Sequence, residues 1–141
     1  MLSATLLHEN LSALSHEALD DALTELGAHL NAAEFRLLEL VGEYDSRGLE
    51  GALGVRSLAH WLDYRCGIDL GAAREKVRVA RALRELPALR EAFASGTVSY
   101  SRVRAITRVA TPANEGLLLG YARAATASQI ERIVLGYRRM E

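Results

Sequence analysis

With 141 residues and 50% hydrophobic side chains, the chain is long enough for one domain with a proper core, and two prolines and no low-complexity tract argue against disorder. The net charge of −1 conceals a split: residues 1–63 hold 3 Lys+Arg against 11 Asp+Glu, whereas residues 64–141 hold 14 against 7. A single cysteine, Cys66, excludes an intramolecular disulfide and a Cys-rich zinc site, and no apolar stretch reaches the length of about 18 residues that a membrane span needs. A chain polarised in this way has a basic face for a polyanion, or two halves that attract each other, or both. The N-terminus lacks the charged segment and long apolar run of a signal peptide, so a reducing cytoplasm is the expected compartment.

Residues 1–14 are mildly apolar without a strong period and read as a flexible arm or a short helix. From Ser15, an N-cap candidate, the pattern sharpens. Leu19, Leu23, Leu26, Leu30, Ala33, Leu37, Leu40 and Tyr44 follow at alternating spacings of four and three, an a/d seam within an acidic amphipathic helix over 15–48. Gly48 is the expected stop, and Gly27 and Asn31 leave room for a break near Asn31. The seam has two readings: it packs on the chain's own C-terminal helices, or Leu19, Leu23, Leu26, Leu30, Leu37 and Leu40 form the seam of a homodimer.

Residues 46–56 are glycine-rich and read as a loop. The rest, 57–141, reads as a basic helical bundle. Ser57 caps a helix with Leu58, Trp61, Leu62 and Cys66 as its apolar positions, so Cys66 is expected to pack beside Trp61 and Leu62. Gly67 suits the left-handed residue that ends it, and Asp69 is the natural cap of a helix over 70–86 that Pro87 terminates. Projected at about 100° per residue, Ala73, Val77, Val79, Ala80, Leu83 and Leu86 share one face, and Arg74, Arg78 and Arg81 lie opposite. Lys76 falls inside the apolar arc, where it either snorkels outward or meets a carboxylate of the acidic half.

A short helix follows with Leu89, Ala92 and Phe93 inward, ended by Gly96. Thr97 or Ser99 caps the next, whose buried face is Val103, Ile106, Val109 and Ala110, with Arg104 and Arg108 spaced i,i+4 on the other side near Ser101. Thr111-Pro112 opens a helix carrying Leu117, Leu118 and Tyr121, with proline at its first position. Thr126 to Gln129 is a capping box for a last helix with Ile130, Ile133, Val134 and Tyr137. No alternating strand pattern occurs, so the fold class is all-α: a multi-helix domain with a long heptad-patterned N-terminal helix and a helix-turn-helix-like core at 57–86.

Signatures of catalysis are missing from the sequence. His8, His16, His29 and His60 are scattered without metal-ligand spacing, and neither a Gly-x-Ser-x-Gly elbow nor a phosphate loop occurs. The expectation is therefore no catalytic residue, no metal, no cofactor and no small-molecule substrate in this chain. The remaining signal is the arginines. A helix, a tight turn and a basic helix are the parts of a helix-turn-helix, which places its second helix in a DNA groove, and the arginine fork suits phosphates and guanine edges. Against this stand two plain facts: an arginine-rich helix face is usually just solvated, and one lysine against sixteen arginines can reflect genomic base composition.

The segments SLAHWL at Ser57–Leu62, ARALRELP ending at Pro87, TRVATPANE ending at Glu115, Gln129-Ile130-Glu131 and Tyr137-Arg138-Arg139 resemble the bacterial proteins that carry the domain of unknown function 222. The resemblance covers most of the chain after about residue 15. Many members of that family carry a C-terminal HNH nuclease domain; this chain stops at Glu141 ahead of any HNH signature, so nuclease activity does not carry over to it. The order of helix, glycine turn, basic helix, Leu-Pro, short helix, glycine and serine-started helix is also similar to that of ParB-like DNA-binding domains. The charge split and the helix-turn-helix order, with the ParB-like similarity beside them, give the expectation of a dimeric N-terminal module that binds double-stranded DNA, with Arg74, Arg78 and Arg81 toward the groove or phosphates and Ser101, Arg104 and Arg108 on the backbone. The rival expectation is a helical dimerisation or scaffold module, in which Arg74 and Arg78 are occluded by carboxylates such as Glu34 or Glu39.

Overall fold

A computed structural model describes residues 10–48 and 54–140. These form a 3-10 turn (Leu11–Ala13) and seven α-helices: α1 (His16–Arg47), α2 (Leu58–Cys66), α3 (Leu70–Leu83), α4 (Pro87–Ala94), α5 (Tyr100–Ile106), α6 (Glu115–Ala124) and α7 (Ala127–Met140). No strand occurs among the described residues, and none of their helices is long and apolar enough to cross a membrane. The expected arm at residues 1–9 and the loop at 49–53 lie outside the described residues.

Local chemistry places most of the helix ends. Ser15 Oγ accepts the Ala18 N–H at 3.1 Å, and α1 runs 32 residues to a left-handed Gly48 at φ 61°. Ser46 and Arg47 thus belong to the helix and not to the loop. The expected break near Asn31 does not occur: Gly27 sits inside the helix with open space around it, and one glycine costs only about 1 kcal/mol against alanine, too little to split so long a helix. Ser57 Oγ accepts the His60 N–H at 3.3 Å to start α2, and Gly67, at φ 68°, closes it. Thr126 and Gln129 form the reciprocal pair of a capping box, at 2.8 and 3.2 Å.

Two boundaries differ from the sequence pattern. α3 ends at Leu83, and a turn over Arg84 to Leu86 precedes Pro87, which starts α4. The residue before a proline is pushed out of the helical region, so the chain leaves the helix early. Helix α6 begins at Glu115, three residues after Pro112. Thr111 and Asn114 instead exchange hydrogen bonds in a turn, and Leu118, Leu119 and Ala122 are buried while Leu117 and Tyr121 are exposed. Cys66 is also exposed: the buried face of α2 is Leu58, Ala59 and Leu62, and its last turn lies beyond it.

The interior has two apolar clusters with α1 and α3 running through both. One joins Leu38, Val79, Leu83, Leu89, Phe93, Val103, Ile106, Leu118, Ile130 and Val134; the other joins Val41, Leu58, Ala59, Leu62, Ala73, Val77 and Ala80, flanked by Leu37, Tyr44 and Trp61. Among the described residues two polar side chains are buried with them, and each has a partner. Glu115 accepts the Leu89 N–H in the first turn of α4 at 3.1 Å, and Thr107 Oγ1 donates to the Arg104 carbonyl at 3.0 Å.

The heptad seam is only partly used inside the chain. Leu37 and Tyr44 pack on the second cluster. Leu19, Leu23, Leu26, Leu30 and Leu40 are exposed, so the reading in which the whole seam packs on the C-terminal helices does not hold. The helix meets the body over its C-terminal half, through Phe35, Leu38, Val41 and Gly42, a face turned away from the seam's centre line.

Candidate nucleic-acid interface

Helix α3 lies between α1 on one side and α5 on the other, so its arginines sit within reach of Asp45 on α1 and of Glu75 on α3 itself, which the arginines of α5 also approach. Among the described residues, four long-range ion pairs reach α1, from α3, the turn after it and α4. Arg81 forks onto Asp45, with Nη2 to Oδ1 at 2.7 Å and Nε to Oδ2 at 2.9 Å. Arg84 lies 3.8 Å from the same carboxylate and also donates to the Gly42 carbonyl. Arg90 pairs with Glu39 at 3.1 Å, and Lys76 pairs with Glu34 while its ammonium lies 4.3 Å from the Tyr100 ring centroid. The acidic half of the sequence is thus the partner of part of the basic half.

The α3–α5 junction is organised by Glu75. Its Oε2 accepts from Arg78 Nη2 at 2.8 Å and from Arg104 Nε at 3.2 Å, and Arg108 Nη2 lies 3.5 Å away. Arg78 also donates to the Arg104 carbonyl at 3.0 Å and to Thr107 Oγ1 at 3.2 Å, which ties α3 to α5. The hydrogen bond from Arg78 lowers the Glu75 pKa, burial opposes it, and Arg104 and Arg108 add to the lowering. Asp45 is lowered in the same way, first by the Arg81 hydrogen bond. At Glu39 burial is the largest influence and pushes upward, yet the hydrogen bonds of Arg90 and Arg36 prevail and the net direction is down. Burial, with the Glu34 charge behind it, raises Tyr100 to about 12.

The six residues expected to meet DNA therefore divide. Arg78, Arg81, Arg104 and Arg108 lie within ion-pair distance of carboxylates of the chain itself. Neither Glu34 nor Glu39 covers Arg74 or Arg78, since those carboxylates are engaged by Lys76 and Arg90. Arg74 is exposed and meets no carboxylate among the described residues, and Ser101 is exposed, its Oγ 3.2 Å from Ser99 Oγ. A shallow groove beside the start of α2 is lined by Arg56, Ser57, Leu58, Arg74, Arg78 and Arg81. Arg56 is the member that the helix-face projection omits, because it precedes α2 in sequence and only the fold of α2 against α3 brings it near Arg74. Glu75 was equally silent: its i,i+3 spacing to Arg78 is a recognised helix pair, but its capture of Arg104 and Arg108 is tertiary.

Within the described residues, no group of three His, Cys, Asp or Glu side chains is placed to hold a metal ion. A family model described as "Domain of unknown function (DUF222)" matches residues 18–139. No curated protein and no solved structure matches the chain.

Proposed function

The chain belongs to the domain of unknown function 222 family, and from that premise we propose that it is a non-catalytic helical module that binds double-stranded DNA through phosphate contacts on its α2–α3–α5 face. The supporting observation is the ratio of charges on that face. Three guanidinium groups share the single carboxylate of Glu75 and two share Asp45, while Arg56 and Arg74 have no carboxylate among the described residues. Pairing thus fixes the arginines in place without neutralising them, and an excess of positive charge faces outward.

In this reading Arg56 and Arg74 are the phosphate contacts proper. They flank the start of α2, whose first turn carries the positive end of the helix dipole. Arg78, Arg81, Arg104 and Arg108 supply field and shape, and the exposed Ser101 a further backbone contact. Contacts of this kind position a protein on a duplex and read little sequence. Should an HNH nuclease domain follow in the same protein, as the resemblance implies, the module would hold it on DNA in the cytoplasm.

A salt titration of binding to duplex DNA tests the proposal. Arg56→Ala/Arg74→Ala should weaken binding and reduce the slope of log affinity against log salt by about 1.8, at about 0.9 per lost phosphate contact. Unchanged affinity and slope would remove the groove assignment. The alternative function, a dimerisation or scaffold module that touches no nucleic acid, draws support from the exposed leucines of α1, and in that case neither the parent chain nor the variant binds DNA at any salt concentration.

A further inference from the structure

We propose that the outward stripe of α2 is a stacking track for unpaired bases, so that the module takes DNA where a duplex opens into single strands. The proposal rests on the reading above, in which Arg56 and Arg74 hold phosphate, and adds a second ligand chemistry, the open face of a base. The buried face of α2 is Leu58, Ala59 and Leu62. Ser57, His60, Trp61 and Tyr64 follow at i, i+3, i+4 and i+7, and at about 100° per residue they share an arc of about 100° on the opposite side. Ser57 lines the arginine groove, and Tyr64 projects only about 20° from it, about 10 Å further along the helix. Three rings thus lead out of the phosphate site in one line.

The rings are held in place before any ligand arrives. His60 Nδ1 lies 2.7 Å from Ser57 Oγ, and Trp61 packs on the second apolar cluster. The Trp61 and Tyr64 ring centroids are 6.0 Å apart, with the planes at 41°. Tyr64 leans on Trp61 and still is 79% exposed, more than any other large hydrophobic side chain among the described residues. That exposure excludes a core role for it. A ring with two rotatable bonds, already supported on one side, loses little freedom when a base stacks on it.

Charge selects a nucleic acid as the occupant, and geometry selects its unpaired part. The Arg65 guanidinium carbon lies 5.9 Å from the Trp61 ring centroid, and like Arg56 and Arg74 this arginine meets no carboxylate among the described residues. The one carboxylate of α2, Asp63, lies beyond His60, about 100° from Tyr64 and about 160° from Trp61. Cations therefore stand at both ends of the stripe, Arg56 and Arg74 at its start and Arg65 at its finish. A closed duplex stacks its base faces on one another and offers only edges and phosphates to rings on a convex helix. An unpaired strand offers those faces, and about 10 Å of helix matches three nucleotide steps of a stacked strand at about 3.4 Å each. Stacking of this kind accepts any base.

Affinity and tryptophan fluorescence measured on two probes test the proposal: a fully paired duplex, and the same duplex opened by a central bubble of unpaired thymidines. Trp61 is the only tryptophan in the chain, so its emission reports the stripe alone. The bubble should bind about tenfold more tightly than the paired duplex and quench Trp61, whereas the paired duplex leaves the emission unchanged. Tyr64→Ala should lose that gain and keep the affinity for the paired duplex, with circular dichroism unchanged because the side chain is exposed. Tyr64→Phe, which keeps the ring, should retain the gain. Equal affinity for the two probes, or a gain that survives Tyr64→Ala or is lost in Tyr64→Phe, overturns the stacking track and leaves the duplex reading in place. A bubble that binds and quenches Trp61 beside a paired duplex that does not bind supports the track and removes the duplex reading. Binding of neither probe overturns both.

Discussion

Arg81 on α3 and Asp45 on α1 form a two-pronged ion pair in which the carboxylate side chain keeps only 10% of its exposure while the guanidinium keeps 60%. The two partners therefore stand in different surroundings. Asp45 has left most of its water and depends on Arg81 for replacement hydrogen bonds, with Arg84 a longer 3.8 Å away; Arg81 remains largely hydrated. A residue that looks like part of a DNA-facing stripe on a helical wheel is, in the fold, a clamp between two helices.

Arg81→Ala should destabilise the chain by about 1 kcal/mol, a value kept low because the guanidinium is solvent-screened. The measurement is urea unfolding followed by circular dichroism. The same substitution should reduce the salt slope of DNA binding less than Arg74→Ala does, since Arg81 is already committed to Asp45. An equal or larger loss at Arg81 would mean that it leaves Asp45 to reach phosphate.

Glu75→Gln removes the one charge that three guanidinium groups share. Stability should fall by about 1–2 kcal/mol, the range for charge-assisted hydrogen bonds at a partly buried carboxylate. Affinity for duplex DNA should move in the opposite direction and rise, most of all at low salt, because one negative charge leaves the face and screening is weakest there. Binding that falls along with stability would show that Glu75 matters to DNA through the positions it gives Arg78, Arg104 and Arg108.

Acid should weaken the fold through three carboxylates. Glu75, Glu39 and Asp45 have folded pKa values below their ordinary 4.5, 4.5 and 3.8, so each contributes stability that is fully present above that range and is lost as pH falls through the folded value. The melting temperature should be level from neutral pH to about 5 and decline below about 4.5. The decline should be shallower in Asp45→Asn/Glu75→Gln. Tyr100 has the opposite sign: its pKa is raised from 10.0 to about 12, so its contribution is present below 10.0 and fades as pH rises toward about 12. Ultraviolet titration of the phenols should show one tyrosine ionising late, and Tyr100→Phe should abolish that late step.

Gly27→Ala should stabilise α1. The glycine lies in the helix interior with no atom near enough to obstruct a Cβ, so the gain is about 0.5–1 kcal/mol from helix propensity and from a less flexible unfolded chain. Thermal unfolding of a dilute sample reads this effect on the monomer.

Much of the helical framework was legible in the linear chain. Ser57 and the Thr126–Gln129 pair start helices, Gly48 and Gly67 end them, and the buried face of α3 is the one that projection at 100° per residue selects. The exceptions are small and local in cause: proline draws α3 to an early end, and α6 begins later than Pro112 implies because Thr111 and Asn114 satisfy each other in a turn. The site was far less legible. Arg78 and Arg81 share a stripe with Arg74 on any helical wheel, yet of the three only Arg74 meets no carboxylate among the described residues.

Caps, turns and periodic faces depend on residues within about four positions of one another, so the sequence alone determined an all-α chain and nearly all of its helix starts. Only the tertiary structure decided that Asp45 meets Arg81 across 36 positions, that Glu75 gathers arginines from α5, and that Arg56 joins Arg74 beside α2. It also decided that Leu37 and Tyr44 of the α1 seam pack partly on the second cluster while Leu19, Leu23, Leu26, Leu30 and Leu40 stay exposed. The reason is physical: a charge or an apolar face takes whichever complementary surface comes within a few ångströms, and for α1 and α3 those surfaces belong to elements whose distance along the chain carries no record of their distance in space.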